Sequence, residues 1–342
     1  MNKFLLSCML VFGTLSNIVA SVVLPDIQKN LTTSEELTIT GHIQGFAADS
    51  QNIYWVGHDT IIKTDFNCKI IKQIPLKKED GKSVHGGDPV VVDGKLYVPY
   101  AGNSFNFEPK KDEFIYNYIQ EYDTDLNYIK TYHIPEIRYG AGGITFANGH
   151  FFVVGGRPWE KVGNEIYEFD RDFKFIKSYY LPFNTVFGIQ TVTFDGEYFY
   201  FGVYGNNMIP RANKDFTKVD YFSGVTGSLG MIPLANKKIL LAKPQKLENQ
   251  NGAIKLQAEI VDLAKVSTPV QYVTVDKNGN LLHNGNQILI TLKYRGLAKK
   301  FKNQRFIVRC SEDIPIPILI AACSTLRYNV TKNIEVEYVP NK

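Results

Sequence analysis

Residues 62–75, 119–135 and 166–182 read IKTDFNCKIIKQIP, IQEYDTDLNYIKTYHIP and IYEFDRDFKFIKSYYLP. In each copy an apolar strand segment is followed by a turn around an aspartate, a second strand segment and a terminating proline. This order is typical of two antiparallel strands joined by a tight turn. Two looser copies occupy residues 208–222 and 257–263. The recurrence predicts a fold built from repeated β-units.

A separate hairpin precedes each copy. The turns of these hairpins are residues 48–52, Asp93-Gly94, Asn148-Gly149, Asp195-Gly196 and Asn236-Lys237. Asp-Gly and Asn-Gly favour a type I′ turn, because that turn needs positive φ at both central residues. Each unit is therefore predicted to contain four strands.

One glycine stands before each hairpin, at Gly45, Gly87, Gly143, Gly188 and Gly230. Most of them are spaced by roughly 40–45 residues, as in four-stranded propeller blades, and a polar insertion, residues 103–113, lengthens the second unit. Glycine suits inner strands that converge on a crowded axis. We predict a mainly β chain with a five-bladed β-propeller over residues 37–265, closed by a strand from Leu37 to Ile43. An open sandwich of hairpins is the alternative.

The composition agrees with a β-rich chain. Among 342 residues there are 22 Phe and 20 Tyr, which suit half-buried pleated surfaces and are expected to fill the space between blades. The 38 basic and 34 acidic residues leave a net charge of +4, which excludes binding of a polyanion by bulk charge. The basic run from Lys299 to Arg305 is interpreted as a solvated helix face, so nucleic acid is not an expected partner.

The first twenty residues are typical of a secretory signal peptide. Lys3 precedes an apolar run from Phe4 to Val19, and Ala20 offers a cleavage site. Residues 21–36 are then a linker, and the protein is expected to be exported, either periplasmic or secreted. The alternative is an uncleaved, membrane-associated anchor, although the run is short for a bilayer span.

Three cysteines follow the leader: Cys68, Cys310 and Cys323. An odd number leaves at least one thiol unpaired in an exported chain. If a bridge forms, Cys310 and Cys323 are the expected pair, because both lie in the C-terminal unit. None has Cys-x-x-Cys spacing, so no zinc site is predicted.

Residues 266–342 follow a different order of strand, turn, strand, helix and strand, with the main helix expected over roughly residues 317–328. The motifs VTVDKNGNLLHNG at 273–285 and FIVRCSEDIP at 306–315 resemble the periplasmic domain of the ExbD/TolR biopolymer transport family. The resemblance implies a small α/β domain that pairs with itself or with envelope partners. The family's membrane helix, with its proton-handling aspartate, does not directly precede this module, so the resemblance does not imply proton-driven transport.

Polar residues recur at the starts of inner strands and at the ends of second strands, two sets that meet on one face of a propeller. The inner-strand starts carry Gln44, His85, Asp88 and Gln190. The second-strand ends carry His58, Asp59, Tyr100, Asn103, Arg157, Trp159, Tyr204, Asn206 and Lys243. A concave surface with a few convergent polar groups is the usual form of a ligand site, and this face is the predicted one.

His85 and Asp88, in VHGGDP at 84–89, are the candidate catalytic residues. A carboxylate at this spacing can orient an imidazole for acid–base chemistry or share a metal with it. The alternative is structural: Asp88 caps the local turn and His85 bonds a channel water. Arg157 and Trp159 suit an anionic or sugar ligand through guanidinium donors and an aromatic face, with a surface-anchoring role as the alternative.

Three functions are compatible with these features. The first is an exported binding or scaffold protein, whose propeller recognises a protein or glycan and whose C-terminal domain docks it in the envelope. The second is a hydrolase or lyase that acts on glycans or phosphoesters through His85, Asp88, Arg157 and Tyr204. The third is a component of an ExbD/TolR-type transport assembly, which would require a retained N-terminal helix. No nucleotide loop, EF-hand or Ser-His-Asp order is present, so neither a cofactor nor a metal is predicted.

Overall fold

A computed structural model shows a mainly β protein with a five-bladed propeller, as predicted. Each of the first four blades is an antiparallel sheet whose strands neighbour one another in chain order from axis to rim. The structure describes residues 27, 29–78, 84–102, 117–137, 140–155, 164–181, 188–203, 208–247, 253–266, 270–275, 281–283, 286–287, 305–311, 314, 319, 323 and 334–339.

The first four blades account for strands from Ile43 to Ser223. Blade one consists of Ile43–Ala48, Ile53–Gly57, Thr60–Thr64 and Ile70–Pro75. Blade two has its inner strand in two parts and consists of Val84–Gly86, Val90–Val92, Lys95–Gly102, Asn117–Asp123 and Tyr128–His133. Blade three consists of Ala141–Ala147, His150–Gly155, Asn164–Phe169 and Phe175–Leu181. Blade four consists of Ile189–Phe194, Tyr198–Val203, Met208–Asn213 and Val219–Ser223.

Blade five takes its outer strand from the beginning of the chain. Its other strands are Met231–Leu234, Lys238–Ala242 and Gln257–Asp262, and Leu31–Thr32 pairs with the last of them. The prediction of one closing strand from Leu37 to Ile43 is therefore wrong. Gly41, at φ +75°, interrupts that segment, so its two halves lie in different sheets. The closing strand lies instead within residues 21–36, the predicted linker.

The two halves of that segment pair separately. Leu37–Thr38 pairs with Ala253–Lys255, which also pairs with Gln245–Lys246, to make a small three-stranded sheet. Ile43 begins the inner strand of blade one. The ring is thus closed by N-terminal residues, as expected, but through a shorter and earlier strand.

An aspartate organises the turn between the third and outer strands of blades one to three. The Asp170 carboxylate accepts hydrogen bonds from the amides of Asp172 and Lys174 at 2.9 and 2.8 Å, and Asp65 and Asp123 make the same pair of bonds. The residue three places after each aspartate has positive φ, as at Cys68, Leu126 and Phe173. These repeated aspartates therefore serve the turns, as predicted.

Glycine allows neighbouring inner strands to approach one another at the axis. A Cβ atom on Gly87 of blade two would lie 2.3 Å from the carbonyl oxygen of Gly142 in blade three, a distance that only glycine permits. The next three seams between blades also have close glycine contacts: Gly142 against Ile189, Gly202 of the second strand of blade four against Gly227 ahead of blade five, and Gly230 against Phe46. These contacts step from blade to blade and return to blade one.

Aromatic side chains fill the space between blades, as the excess of Phe and Tyr predicts. Between blades two and three, Phe151 stacks on Phe173 with ring centroids 4.5 Å apart and contacts Tyr97 at 4.7 Å. Between blades three and four, Phe152 and Phe199 meet edge to face at 4.9 Å. Such pairs add stacking energy to the burial of large apolar surfaces.

The C-terminal residues form a sheet of their own. Its strands, in spatial order, are Asn286–Gln287, Leu281–His283, Val270–Val275, Arg305–Ser311 and Ile334–Val339. The last three are parallel neighbours. Phe306, Val308 and Leu319 are buried together in its core. Most of the helix expected over residues 317–328 lies outside the described residues, so the α/β character of this domain stays a prediction.

Cys68 and Cys310 are free thiols, so the disulfide bridge that Cys310 and Cys323 were expected to form, if any bridge formed, is not present in this structure. Within the residues described above, no helix is long and apolar enough to cross a membrane. The 3₁₀ turn Leu263–Lys265 follows blade five. The predicted signal peptide, residues 1–20, lies outside the described part.

Candidate binding site at the channel face

One face of the propeller brings the starts of inner strands to the ends of second strands. Antiparallel pairing sets this geometry, since Ile43 lies opposite Gly57 in blade one and His85 opposite Ala101 in blade two. The same pairing recurs in the other blades between Ala141 and Gly155, Ile189 and Val203, and Met231 and Leu241. We call this surface the channel face, and the opposite surface, which carries the hairpin turns, the turn face.

Asp88 connects four of the five blades. Its amide donates to the Gly142 carbonyl at 2.8 Å, and its carbonyl accepts from the Ile144 amide at 3.0 Å, which joins blade two to blade three. Its carboxylate accepts from the Phe46 amide of blade one at 3.1 Å and from the Val192 amide of blade four at 3.3 Å. Because blade four is not a neighbour of blade two, this side chain crosses the axis of the ring.

The buried position of Asp88 changes its expected chemistry. The residue is 1% exposed, and burial raises the pKa of its carboxyl well above the ordinary range, although the Phe46 and Val192 amides oppose the shift. Both carboxylate oxygens bond to backbone amides, and neither bonds to His85. No direct contact between His85 and Asp88 therefore supports the predicted catalytic pair. Asp88 instead links blades one, three and four across the axis, and we refer to this link as the floor of the channel face.

Three histidines meet on the channel face where blades one and two adjoin. His42 precedes the inner strand of blade one, His58 follows the second strand of blade one, and His85 lies in the inner strand of blade two. The ring centroids of His58 and His85 are 4.3 Å apart, and those of His42 and His58 are 4.9 Å apart. Gln44 Nε2 lies 3.1 Å from His42 Nε2. This arrangement is a packed imidazole cluster, which we call the histidine cluster.

Burial disfavours protonation of two members of the histidine cluster, His58 and His85. Burial, together with the smaller influence of the neighbouring His58 and His42 rings, lowers the pKa of His85 to about 3. Burial also lowers the pKa of His58, against the opposing influence of the Asp59 carboxylate. At neutral pH the two side chains are therefore uncharged imidazoles, which can donate and accept hydrogen bonds but do not attract anions.

Acid is expected to destabilise the protein through His85. Because the pKa of His85 is lower in the folded chain than in the unfolded chain, the unfolded state binds more protons between about pH 6.5 and pH 3. The stabilisation is complete above about pH 6.5 and is lost as the pH falls towards 3. From these two pKa values, the loss reaches about 3 kcal/mol at pH 4.

The measurement is urea unfolding of the wild type and of His85→Gln between pH 4 and pH 8. We expect the difference in unfolding free energy between the two proteins to change by about 3 kcal/mol over this range. The exposed His133 provides a matched control, since His133→Gln should follow the wild-type curve. Parallel curves for the wild type and His85→Gln would contradict the shift assigned to His85.

The other predicted site residues differ in their placement. Tyr100 is 1% exposed and its ring stacks on Tyr118 with centroids 5.4 Å apart, so it belongs to the core. The Asp59 carbonyl accepts a hydrogen bond from the Leu76 amide at 2.8 Å, which fits a turn residue. Gln190 is half-buried at the start of the inner strand of blade four.

Lys243 pairs with Glu259 within blade five. The remaining candidates, Arg157, Trp159, Tyr204, Asn103 and Asn206, lie outside the described residues. The strands that flank them end or begin at the channel face.

His42 is the functional candidate that the sequence analysis missed. It directly precedes the inner strand of blade one, and the turn at Gly41 places His58 against it: a Cβ atom on Gly41 would lie 2.8 Å from Cγ of His58. The available signal was the position of His42 next to the start of a predicted inner strand, a position that His85 has as well. Among the described residues, no group of three or more His, Cys, Asp or Glu side chains is arranged to hold a metal ion.

No family model and no curated protein matches the chain, so the resemblance of its C-terminal residues to the ExbD/TolR family is not supported. A protein of unknown function from Bacteroides caccae is similar in structure, with 13% identity, a TM-score of 0.42 and coverage of 62% of this chain and 74% of that chain. Glutaminyl cyclase of Myxococcus xanthus gives 10% identity, a TM-score of 0.40 and coverage of 68% and 98%. A chain of a nidogen/laminin complex gives 16% identity, a TM-score of 0.37 and coverage of 53% and 64%.

Proposed function

We propose that this chain is an exported binding protein and that the channel face of its propeller is the recognition surface. The observation that carries the proposal is the floor formed by Asp88, whose bonds to blades one, three and four span the axis. A face with a closed floor suits a bound ligand better than a passage through the ring, since ligand sites are concave and largely preformed.

The connections between strands support the same assignment. On the turn face the links are tight, as at Asp93-Gly94 and Asn148-Gly149. The second strands of blades two to four end at the channel face, and in the sequence residues 103–116, 156–163 and 204–207 separate them from the third strands. Binding residues are concentrated in longer connections held by a rigid scaffold.

The chemistry of the described channel face favours a glycan over a charged ligand. His58 and His85 are neutral imidazoles at neutral pH, and Gln190 contributes an amide at the start of blade four. Imidazole and amide groups can each donate and accept hydrogen bonds, which matches the hydroxyl groups of a sugar. Arg157 and Trp159 are expected to extend the same surface.

The alternative of a hydrolase or lyase receives less support. It requires Asp88 to act on His85 or on a substrate, whereas both oxygens of Asp88 accept hydrogen bonds from backbone amides at the axis. Docking in the envelope by residues 266–342 remains a second part of the proposal, and the described strands of this region form a five-stranded sheet separate from the blades.

A panel of defined oligosaccharides, probed with the fluorescently labelled mature chain, tests the binding proposal. We expect Gln190→Ala to weaken binding about tenfold, because loss of one direct hydrogen bond costs about 1–1.5 kcal/mol. Gln51→Ala removes the same type of side chain from an exposed turn on the turn face and should leave affinity unchanged. Equal weakening by both variants, or no oligosaccharide bound by the wild type, would contradict the assignment.

A further inference from the structure

We propose that the histidine cluster of His42, His58 and His85 is an acid-sensitive switch that holds blades one and two together at the channel face. Two rings come from blade one and its leading segment, and the third comes from blade two. The contact between His58 and His85, at 4.3 Å between centroids, therefore spans the boundary between the two blades.

The backbone joins the blades at the same point. The Gly86 amide donates a hydrogen bond to the His58 carbonyl at 2.9 Å. A Cβ atom on Gly86 would lie 2.6 Å from the Gly57 carbonyl oxygen and 2.7 Å from a methyl carbon of Val56. Because the strands are this close, any separation of the two blades at this point would lengthen or break the Gly86 hydrogen bond.

Protonation is unfavourable while the cluster is closed. The titratable groups that act on His85 are His58 and His42, and the Asp59 carboxylate acts on His58. A second proton would place like charges on adjacent rings. In an open form each imidazole would return towards its ordinary pKa of about 6.5, so acid shifts the equilibrium towards opening.

The size of this effect follows from the linkage between protonation and opening. Each imidazole that charges only in the open form should raise the opening constant roughly 25-fold between pH 7 and pH 5. The consequence would be local, since Asp88 and the glycine contacts hold the other seams without histidine. Control of a bound ligand by this switch rests on the proposed function, whereas the opening itself can be measured without any ligand.

The test is hydrogen–deuterium exchange by mass spectrometry on the full chain at pH 7, 6 and 5, with rates corrected for the intrinsic effect of pH. In the wild type, the protection of peptides that contain Gly86 should fall by at least roughly 25-fold as the pH is lowered from 7 to 5. Peptides from the boundary of blades three and four should remain protected. His58→Gln and His85→Gln should each reduce the pH dependence at Gly86, while His133→Gln should leave it unchanged.

Three results would overturn the switch. The first is an exchange rate at Gly86 that does not respond to pH in the wild type. The second is an equal loss of protection in all five blades, which would indicate global unfolding. The third is an unchanged pH dependence in a folded His58→Gln or His85→Gln variant. A failure to bind any glycan would leave the exchange result intact, so the two proposals can fail separately.

Discussion

Replacing Asp88 with alanine is expected to lower the free energy of unfolding by about 2–6 kcal/mol. The change leaves the buried amides of Phe46 and Val192 without their acceptor, and each unsatisfied buried donor costs about 1–3 kcal/mol. It also empties space at the axis, which adds to the loss. Urea denaturation at neutral pH measures the effect.

Asp88→Asn separates the structural role of this residue from the predicted catalytic one. An asparagine side chain keeps the shape but offers one oxygen, so one of the two amides faces an NH₂ group, and we expect a smaller loss of about 1–3 kcal/mol. A catalytic role would instead predict normal stability and a loss of turnover on a glycan or phosphoester substrate. Unchanged stability in both variants would contradict the bonds assigned to Asp88.

Gly87→Ala is expected to cost at least about 3 kcal/mol or to prevent folding. The new methyl group would lie 2.3 Å from the carbonyl oxygen of Gly142 and 2.8 Å from its carbonyl carbon. Because these are backbone atoms, no side-chain rotation can relieve the clash. The loss of unfolding free energy should therefore reach or exceed the upper end of the usual range for overpacking. The same carbonyl accepts the hydrogen bond from the Asp88 amide, so the boundary between blades two and three should be disturbed directly.

Gly149→Ala is the matched control for crowding at the axis. Gly149 lies in a hairpin turn at φ +88°, and a Cβ atom there meets nothing within 4 Å. The cost should therefore be limited to the strain of a left-handed alanine, about 1–2 kcal/mol. Thermal denaturation of both variants decides the comparison. A Gly87→Ala protein as stable as Gly149→Ala would show that the inner strands are less crowded than described.

Local rules were enough to predict most of the propeller from the sequence. Turn residues such as Asp170 and Asn148-Gly149 depend on hydrogen bonds and φ angles within a few residues, so a repeating pattern exposes them directly. The glycines at the axis could be predicted as well, because convergence of inner strands follows from the repeat itself. Blade number then followed from counting units.

Contacts between distant parts of the chain could not be predicted in the same way. Asp88 accepts hydrogen bonds from the amides of Phe46 and Val192, which are far from it in the sequence. Nothing in the local sequence around either amide indicates that Asp88 is its partner. The closing strand Leu31–Thr32 pairs over two residues, too short to give an alternating pattern. His42 joins the histidine cluster because Gly41 turns the chain. This turn could not be predicted from the positions at which strands start and end.

The most direct test of the closed axis is residue-resolved amide exchange by NMR in wild-type and Asp88→Asn protein. If Asp88 spans the ring, the amides of Phe46 and Val192 should be among the slowest to exchange in the wild type. The substitution should speed exchange at one or both, in blades one and four, while strands remote from the axis keep their rates. Acceleration confined to the neighbours of residue 88 in blade two would contradict a floor at the axis and, with it, the main support for a binding site on the channel face.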